Sequence, residues 1–175
     1  MFDLATFKFT KTINVGKLVY KLLPLDPDYL LCAGSYLLEL LRLADHRMVE
    51  VCKLETSVYD SALVSEIGQY CDYALATWEG LQFVRVDRSQ QPYSLEILPL
   101  RVREKEAINN VARVRENVVA FADGSQLVVY DRLLDQELVT MWCESQIRSI
   151  KSINAIEGLS RYGGTEGLYR GRRLP

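Results

Sequence analysis

Histidine is almost missing from this chain. His46 is the only one among 175 residues, and that scarcity removes most ways of building an acid–base or metal centre. A serine or cysteine nucleophile would have no second imidazole to choose from, and His46 itself sits in an Asp-His-Arg turn whose composition is that of a surface loop. The four cysteines, Cys32, Cys52, Cys71 and Cys143, lie far apart with no C-x-x-C pair. A zinc site needs several sulfur or imidazole ligands at close spacing, so none is expected; the cysteines read as reduced, small core residues of a cytosolic protein. The chain contains no G-x-S-x-G, Walker, G-x-G-x-x-G or H-E-x-x-H pattern. Carboxylate pairs such as Asp26 with Asp28 and Asp131 with Asp135 fall in predicted turns, where they bond local backbone. The expectation is a protein with no catalytic residue, no metal and no cofactor. A hydrolase built on Cys71 or His46 is the competing class, and it requires turnover that disappears when either residue is changed.

Other things are scarce too. No apolar run approaches the roughly 18 to 20 residues of a membrane span, and the opening MFDLATFKFTKTINV lacks the basic flank and apolar stretch of a secretory signal. The formal net charge is -2, against the basic surface expected of a dedicated nucleic-acid binder. A soluble cytoplasmic protein is expected, with the nucleus left open.

What the chain has in quantity is hydrophobic residues, 49%, arranged in short runs. Between Glu116 and Trp142, Val118 to Phe121, Leu127 to Tyr130 and Leu138 to Met141 are separated by Ala122-Asp123-Gly124-Ser125 and by Asp131 to Glu137. Asp-Gly between β-prone runs signals a hairpin, because glycine takes a left-handed turn without a Cβ clash. The pattern predicts an antiparallel meander, and it occurs twice more upstream. Residues 17–55 predict strands at Leu18–Leu23, Tyr29–Ala33, Leu37–Leu43 and Met48–Leu54. Residues 60–101 predict Ala62–Ile67, Tyr73–Thr77, Leu81–Val86 and Tyr93–Leu98. Residues 106–142 predict Ala107–Val114 ahead of the three runs above. Leu43-Ala44-Asp45, Arg85-Val86-Asp87 and Val129-Tyr130-Asp131 mark the same point of each unit, at spacings of 42 and 44 residues.

Two segments also allow a helix. Tyr36–Ala44 places Leu37, Leu40, Leu41 and Ala44 on one helical face, and its own propensity favours that state. Its counterparts, LQFVRV and LVVYD, are rich in β-branched and aromatic residues and short, which favours a strand. Ala107–Val119 could form a short helix in place of strand and bend. The ends carry further alternating runs: Thr6–Val15 predicts a strand, and Ile147–Ile153 predicts the start of a further unit. Residues 1–153 therefore read as one repeat domain. Residues 154–175 hold half of the ten glycines together with Arg161, Arg170, Arg172 and Arg173, the composition of a flexible tail.

Four strands every forty-odd residues, with Asp closing the third strand, resemble the WD40 repeats of β-propellers. The resemblance is carried by Phe121-Ala122-Asp123-Gly124-Ser125-Gln126-Leu127-Val128-Val129-Tyr130-Asp131, by Trp78 to Asp87, and more loosely by Ala33 to Asp45. Gly-His and Trp-Asp dipeptides are absent, so the hydrogen-bond network they supply in that family is missing or replaced. The fold implied is all-β, with about three four-stranded units. Propellers close with about four to eight blades, so three open outcomes follow: the end strands complete a small ring, a second copy or another protein supplies the missing blades, or the 175 residues are a piece of a longer polypeptide. Incomplete closure, with a protein partner or second copy covering the free sheet edges, is the expected one.

The implied function is a non-catalytic protein–protein interaction scaffold within a larger assembly. Of the aromatic residues Tyr29, Tyr36, Tyr70, Tyr73, Trp78, Tyr93, Tyr130 and Trp142, most are expected between adjacent sheets. Tyr36 and Trp78, at turns, are the candidate partner contacts. The alternative is an RNA- or ribonucleoprotein-associated subunit in which Arg170, Arg172 and Arg173 contact phosphate, although the tail's four arginines exceed Glu157 and Glu166 by only two charges.

Overall fold

A computed structural model describes residues 2–3, 8–9, 18–99 and 107–151. Twelve of its strands form three four-stranded antiparallel sheets, each a plain meander of consecutive strands. The first sheet is β3 (Val19–Pro24), β4 (Tyr29–Gly34), β5 (Leu37–Arg42) and β6 (Arg47–Lys53). The second is β7 (Val58–Ile67), β8 (Tyr70–Thr77), β9 (Gly80–Asp87) and β10 (Ser94–Ile97). The third is β11 (Ile108–Arg115), β12 (Val118–Asp123), β13 (Gln126–Asp131) and β14 (Gln136–Trp142). Two short strands, β1 (Phe2–Asp3) and β2 (Lys8–Phe9), pair with each other. No helix occurs among the described residues, so none there crosses a membrane.

Tyr36–Ala44 is therefore strand and turn. Strand β5 is covered on both faces from Leu38 to Leu41. A strand with two buried faces reads as a continuous apolar run and loses its period-two signature, which is why LLELL imitates a helix. Ala107–Val119 likewise resolves into β11, a two-residue turn and the start of β12.

The register corrects the repeat landmark. Tyr29 faces Arg42, Tyr70 faces Asp87, and Val118 faces Asp131, so the residue equivalent to Asp87 and Asp131 is Arg42. Asp45 lies three residues further on, inside the β5–β6 turn. The corresponding backbone bonds agree: the amides of Leu43, Arg88 and Arg132 donate to the carbonyls of Asp28, Gln69 and Asn117. The spacings become 45 and 44 residues, more regular than the sequence landmark implied. Asp131 earns its place by accepting the amides of Leu133 and Leu134, and Asp87 by accepting that of Ser89. Arg42 instead holds Asp45 with two hydrogen bonds of 3.0 and 2.5 Å, which sets that carboxyl's pKa at about 2. The turn is thus clamped by a pair where its counterparts use one carboxylate.

A second correction concerns Ile147–Ile153. No strand forms over residues 147–151. A strand needs a ladder partner; here Ile147 donates its amide to the Gly124 carbonyl in the β12–β13 turn, as Cys143 upstream does to Ser125. Most of the Thr6–Val15 strand, residues 152–153, the 154–175 tail and with it Arg170, Arg172 and Arg173 lie outside the described residues.

Strands β3, β7 and β11 converge. Asp60 on β7 accepts Lys21 Nζ of β3 at 2.6 Å and the Val111 amide of β11 at 3.2 Å, so one carboxylate ties the leading strands of all three sheets. Apolar clusters fill the two spaces between sheets. Leu31, Ala33 and Leu38 meet Tyr73, Leu75, Val84 and Val86 in one; Leu81 and Phe83 meet Val119, Phe121, Val128 and Tyr130 in the other. The three sheets do not close into a ring, and the outer ones expose large apolar residues: Leu18 just before β3, Tyr20 and Leu22 on it, and Val139, Met141 and Trp142 on β14. Gly34, at the end of β4, lies so near the start of β3 that a Cβ there would stand 2.0 Å from the Leu18 carbonyl oxygen. Gly34→Ala is expected to force backbone apart and cost about 2 kcal/mol, read from the urea midpoint.

Candidate functional site

The hairpins β4–β5, β8–β9 and β12–β13 each turn through two residues: Ser35-Tyr36, Trp78-Glu79 and Gly124-Ser125. The first two come from neighbouring sheets and share a groove of about 300 Å³ with the β6–β7 connection. Tyr36 and Trp78 stand there 58% and 65% exposed, so the structure puts the two candidate contacts on one surface. Tyr59 of β7, half-buried, also lines the groove, together with Glu55, Thr56, Ser57 and Glu79.

The groove is held by its backbone. Thr77, fully buried, donates its hydroxyl to the Gly80 carbonyl at 2.7 Å and accepts the Glu79 amide at 3.2 Å, which fixes the loop carrying Trp78. Leu54 donates its amide to the Tyr36 carbonyl at 2.9 Å, anchoring the other loop to the connection between sheets. Tyr36 has φ 60°, a left-handed conformation that costs a bulky L-residue about 1–2 kcal/mol. Ser35 Oγ donates to Tyr20 at 3.2 Å, and the Tyr20 and Tyr59 rings lie 6.4 Å apart, extending the aromatic surface along β3. Sequence reasoning named Tyr36 and Trp78 as candidates but not Tyr59, Glu55 or Glu79, which line the same groove. Superposing the hairpins would have flagged Glu79, which occupies the loop position of Tyr36.

The remaining aromatic residues divide. Tyr29, Tyr73 and Tyr130 are buried, whereas Tyr70 and Trp142 are exposed. Tyr93 bridges sheets: its ring centroid is 4.2 Å from that of Tyr29, and its hydroxyl donates to Asp26 at 2.7 Å. That bond, together with burial, pushes the phenol up to about 12.

At the opposite hairpin ends, Asp72 gathers two cations. Arg85 reaches it at 2.8 and 3.0 Å and Arg132 at 2.5 Å. Burial opposes ionisation of Asp72, yet the two guanidiniums hold its carboxyl below the ordinary range. Three residues from two sheets thus form a structural lock. Cys71 is buried, and desolvation raises its thiol to about 11; Cys32 is raised to about 11 in the same way. His46 lies in the β5–β6 turn, on a different sheet from Cys71. Among the described residues no three His, Cys, Asp or Glu side chains form a group able to hold a metal.

In sequence, no protein-family model and no curated protein matches this chain. Solved structures do resemble it. The β-propeller domain of Cps50 (Swd1) from Myceliophteria thermophila superposes with a TM-score of 0.60 at 16% identity, covering 83% of this chain and 51% of that one. The BBS1N structure, determined in complex with ARL6DN, matches with a TM-score of 0.60 at 11% identity, over 82% of this chain and 46% of that one. The chain spans about half the length of these structures. With three four-stranded antiparallel sheets and an unclosed ring, it has the fold of a partial β-propeller.

Proposed function

We propose that this chain is a non-catalytic scaffold that binds another protein through the hairpin face between its first and second blades. The observation that carries the reading is the pairing of Tyr36 and Trp78: two large exposed rings, from separate blades, on backbone that is anchored at both loops. Exposed aromatics on rigid supports lose little entropy on binding and supply most of the energy at protein interfaces. The apolar residues left exposed on β3 and β14 add a second kind of contact, in which a further subunit or a second copy covers the open ends. Four free cysteines, two of them deep in the blades, fit a cytoplasmic setting. The comparisons lend no support to nucleic acid as the partner.

Affinity capture with the full chain as bait is the direct test. Wild type should retain a partner protein that the Tyr36→Ala/Trp78→Ala double variant binds about a hundredfold or more less tightly, as two hot-spot truncations of about 2 kcal/mol each imply. Both side chains are exposed, so the variant should unfold at the wild-type urea concentration. Equal capture by the two proteins would overturn the assignment of this face.

A further inference from the structure

We infer that a second groove, between the second and third blades, takes one carboxylate side chain, Asp or Glu beside an apolar residue, from a partner protein. The groove encloses about 330 Å³ and is lined by Asp72, Arg85 and Arg132, by Asn117 in the β11–β12 turn, and by apolar residues that include Ile67 and Leu133. It lies at the hairpin ends opposite Tyr36 and Trp78, so it is a separate site from that face. Ile67 and Leu133 are largely exposed and offer apolar contact beside the charged residues.

An inventory of donors and acceptors identifies the ligand. Asp72 has no acceptor capacity to spare: Arg85 Nε donates to its Oδ1, while Arg85 Nη2, Arg132 Nη1 and the Ser65 hydroxyl converge on its Oδ2. The arginines do have donors to spare, since Arg132 spends a single hydrogen bond on Asp72 and Arg85 keeps its Nη1 edge. Both guanidiniums are also held in place, 5.3 Å from the ring centroids of Tyr70 and Phe83. Asn117 is an independent sign. It is 9% exposed, yet its carboxamide makes no hydrogen bond among the described residues and is not sealed off as the Tyr29 hydroxyl is. A polar group so enclosed is normally paired, and here it faces a groove that offers it only further donors and a saturated acid. The missing component is an acceptor. Its charge follows from the same residues: two guanidiniums meet one lining carboxylate, and the exposed Glu96 across from Arg85 in the β9–β10 register tempers Arg85 from outside. What remains matches a monoanion, which forks onto a guanidinium through charge-assisted hydrogen bonds; a dianion would be over-charged and a cation repelled.

The probe is the peptide Gly-Ser-Leu-Glu-Ser-Gly, with Gln or Lys in place of Glu as comparisons, titrated into the ¹⁵N-labelled full chain and followed by NMR. The Glu peptide should shift the Asn117 side-chain amide and the Arg132 and Leu133 backbone amides saturably, with a Kd on the order of 1 mM. The Gln peptide should bind about tenfold more weakly and the Lys peptide not at all. Asn117 has φ 60°, so Asn117→Gly removes the carboxamide without straining the backbone; it should weaken the Glu peptide about fivefold. Asn117→Asp, which places a like charge in the groove, should abolish binding while the urea midpoint holds. Arg47→Gln, an exposed cation on the first blade, and Tyr36→Ala/Trp78→Ala should both bind as wild type does. Equal affinity for the Glu and Gln peptides, undiminished binding by Asn117→Asp, or shifts centred away from Asn117 and Arg132 would overturn the inference.

Discussion

Replacing Phe83 by alanine is expected to lower the stability of the chain by about 4 kcal/mol, close to the most a single core truncation costs. Phe83 is 1% exposed and sits in the cluster that joins the second blade to the third. Its ring stacks on Tyr130 at 6.3 Å, and the guanidinium of Arg132 lies 5.3 Å from its centroid. Truncation therefore removes buried area and leaves a cavity between sheets, and it also removes an aromatic pair worth about 1 kcal/mol. Against a total stability of about 5–15 kcal/mol, the urea midpoint should fall steeply. Phe83→Leu, which keeps most of the volume, should cost about 1.5 kcal/mol. A double-mutant cycle with Tyr130→Leu should return a coupling of about 1 kcal/mol. A midpoint that barely moves in Phe83→Ala would mean the second and third blades are not packed as described.

That interface also shows what the sequence does and does not disclose. Strands and their grouping were legible because each apolar run is short, bounded by turn residues, and recurs. The β12–β13 hairpin follows directly from Asp-Gly. The Leu-rich β5 was harder, since burial on both faces erases the alternation that separates strand from helix. The Asp45 landmark failed for a different reason. A turn can be held by one carboxylate or by a pair, and Asp45 belongs to the Arg42 pair rather than to the strand end occupied by Asp87 and Asp131. Ile147–Ile153 has a strand's alternation, but alternation alone does not supply a neighbour to pair with. The long-range contacts carried no local signal at all. Asp60 meets Lys21 and Val111 across 39 and 51 residues, and Asp72 meets Arg132 across 60. Nothing in composition distinguishes these carboxylates from those that cap turns. The exposed pair was partly visible, because Tyr36 and Trp78 occupy turns. That they share a groove with Glu55, Glu79 and Tyr59 depends on how adjacent blades sit together.

Asp72→Ala is the other large effect, expected at about 3 kcal/mol or more, because it strands two guanidiniums rather than one. The Asp72 side chain is 7% exposed and that of Arg132 13%, whereas Arg85 at 34% can turn toward water. Breaking a buried ion pair from one side is costly because the partner charge stays desolvated, and here the cost falls chiefly on Arg132. Replacing all three residues together with Leu, Met and Met should be far milder than the single change, since no charge is then left buried. The pH dependence has a definite sign. The folded-state pKa of Asp72 is depressed, so its contribution is complete above the unfolded value of about 3.9 and is lost as pH falls through the lower folded value. Urea midpoints measured from pH 5 downward should decline in the wild type, and Asp72→Asn should lose part of that slope. The slope that remains belongs partly to Asp45, whose carboxyl titrates at about 2 beside Arg42. Should the triple variant prove as unstable as Asp72→Ala, the loss would come from packing around the site, and the lock between the second and third blades would not be electrostatic.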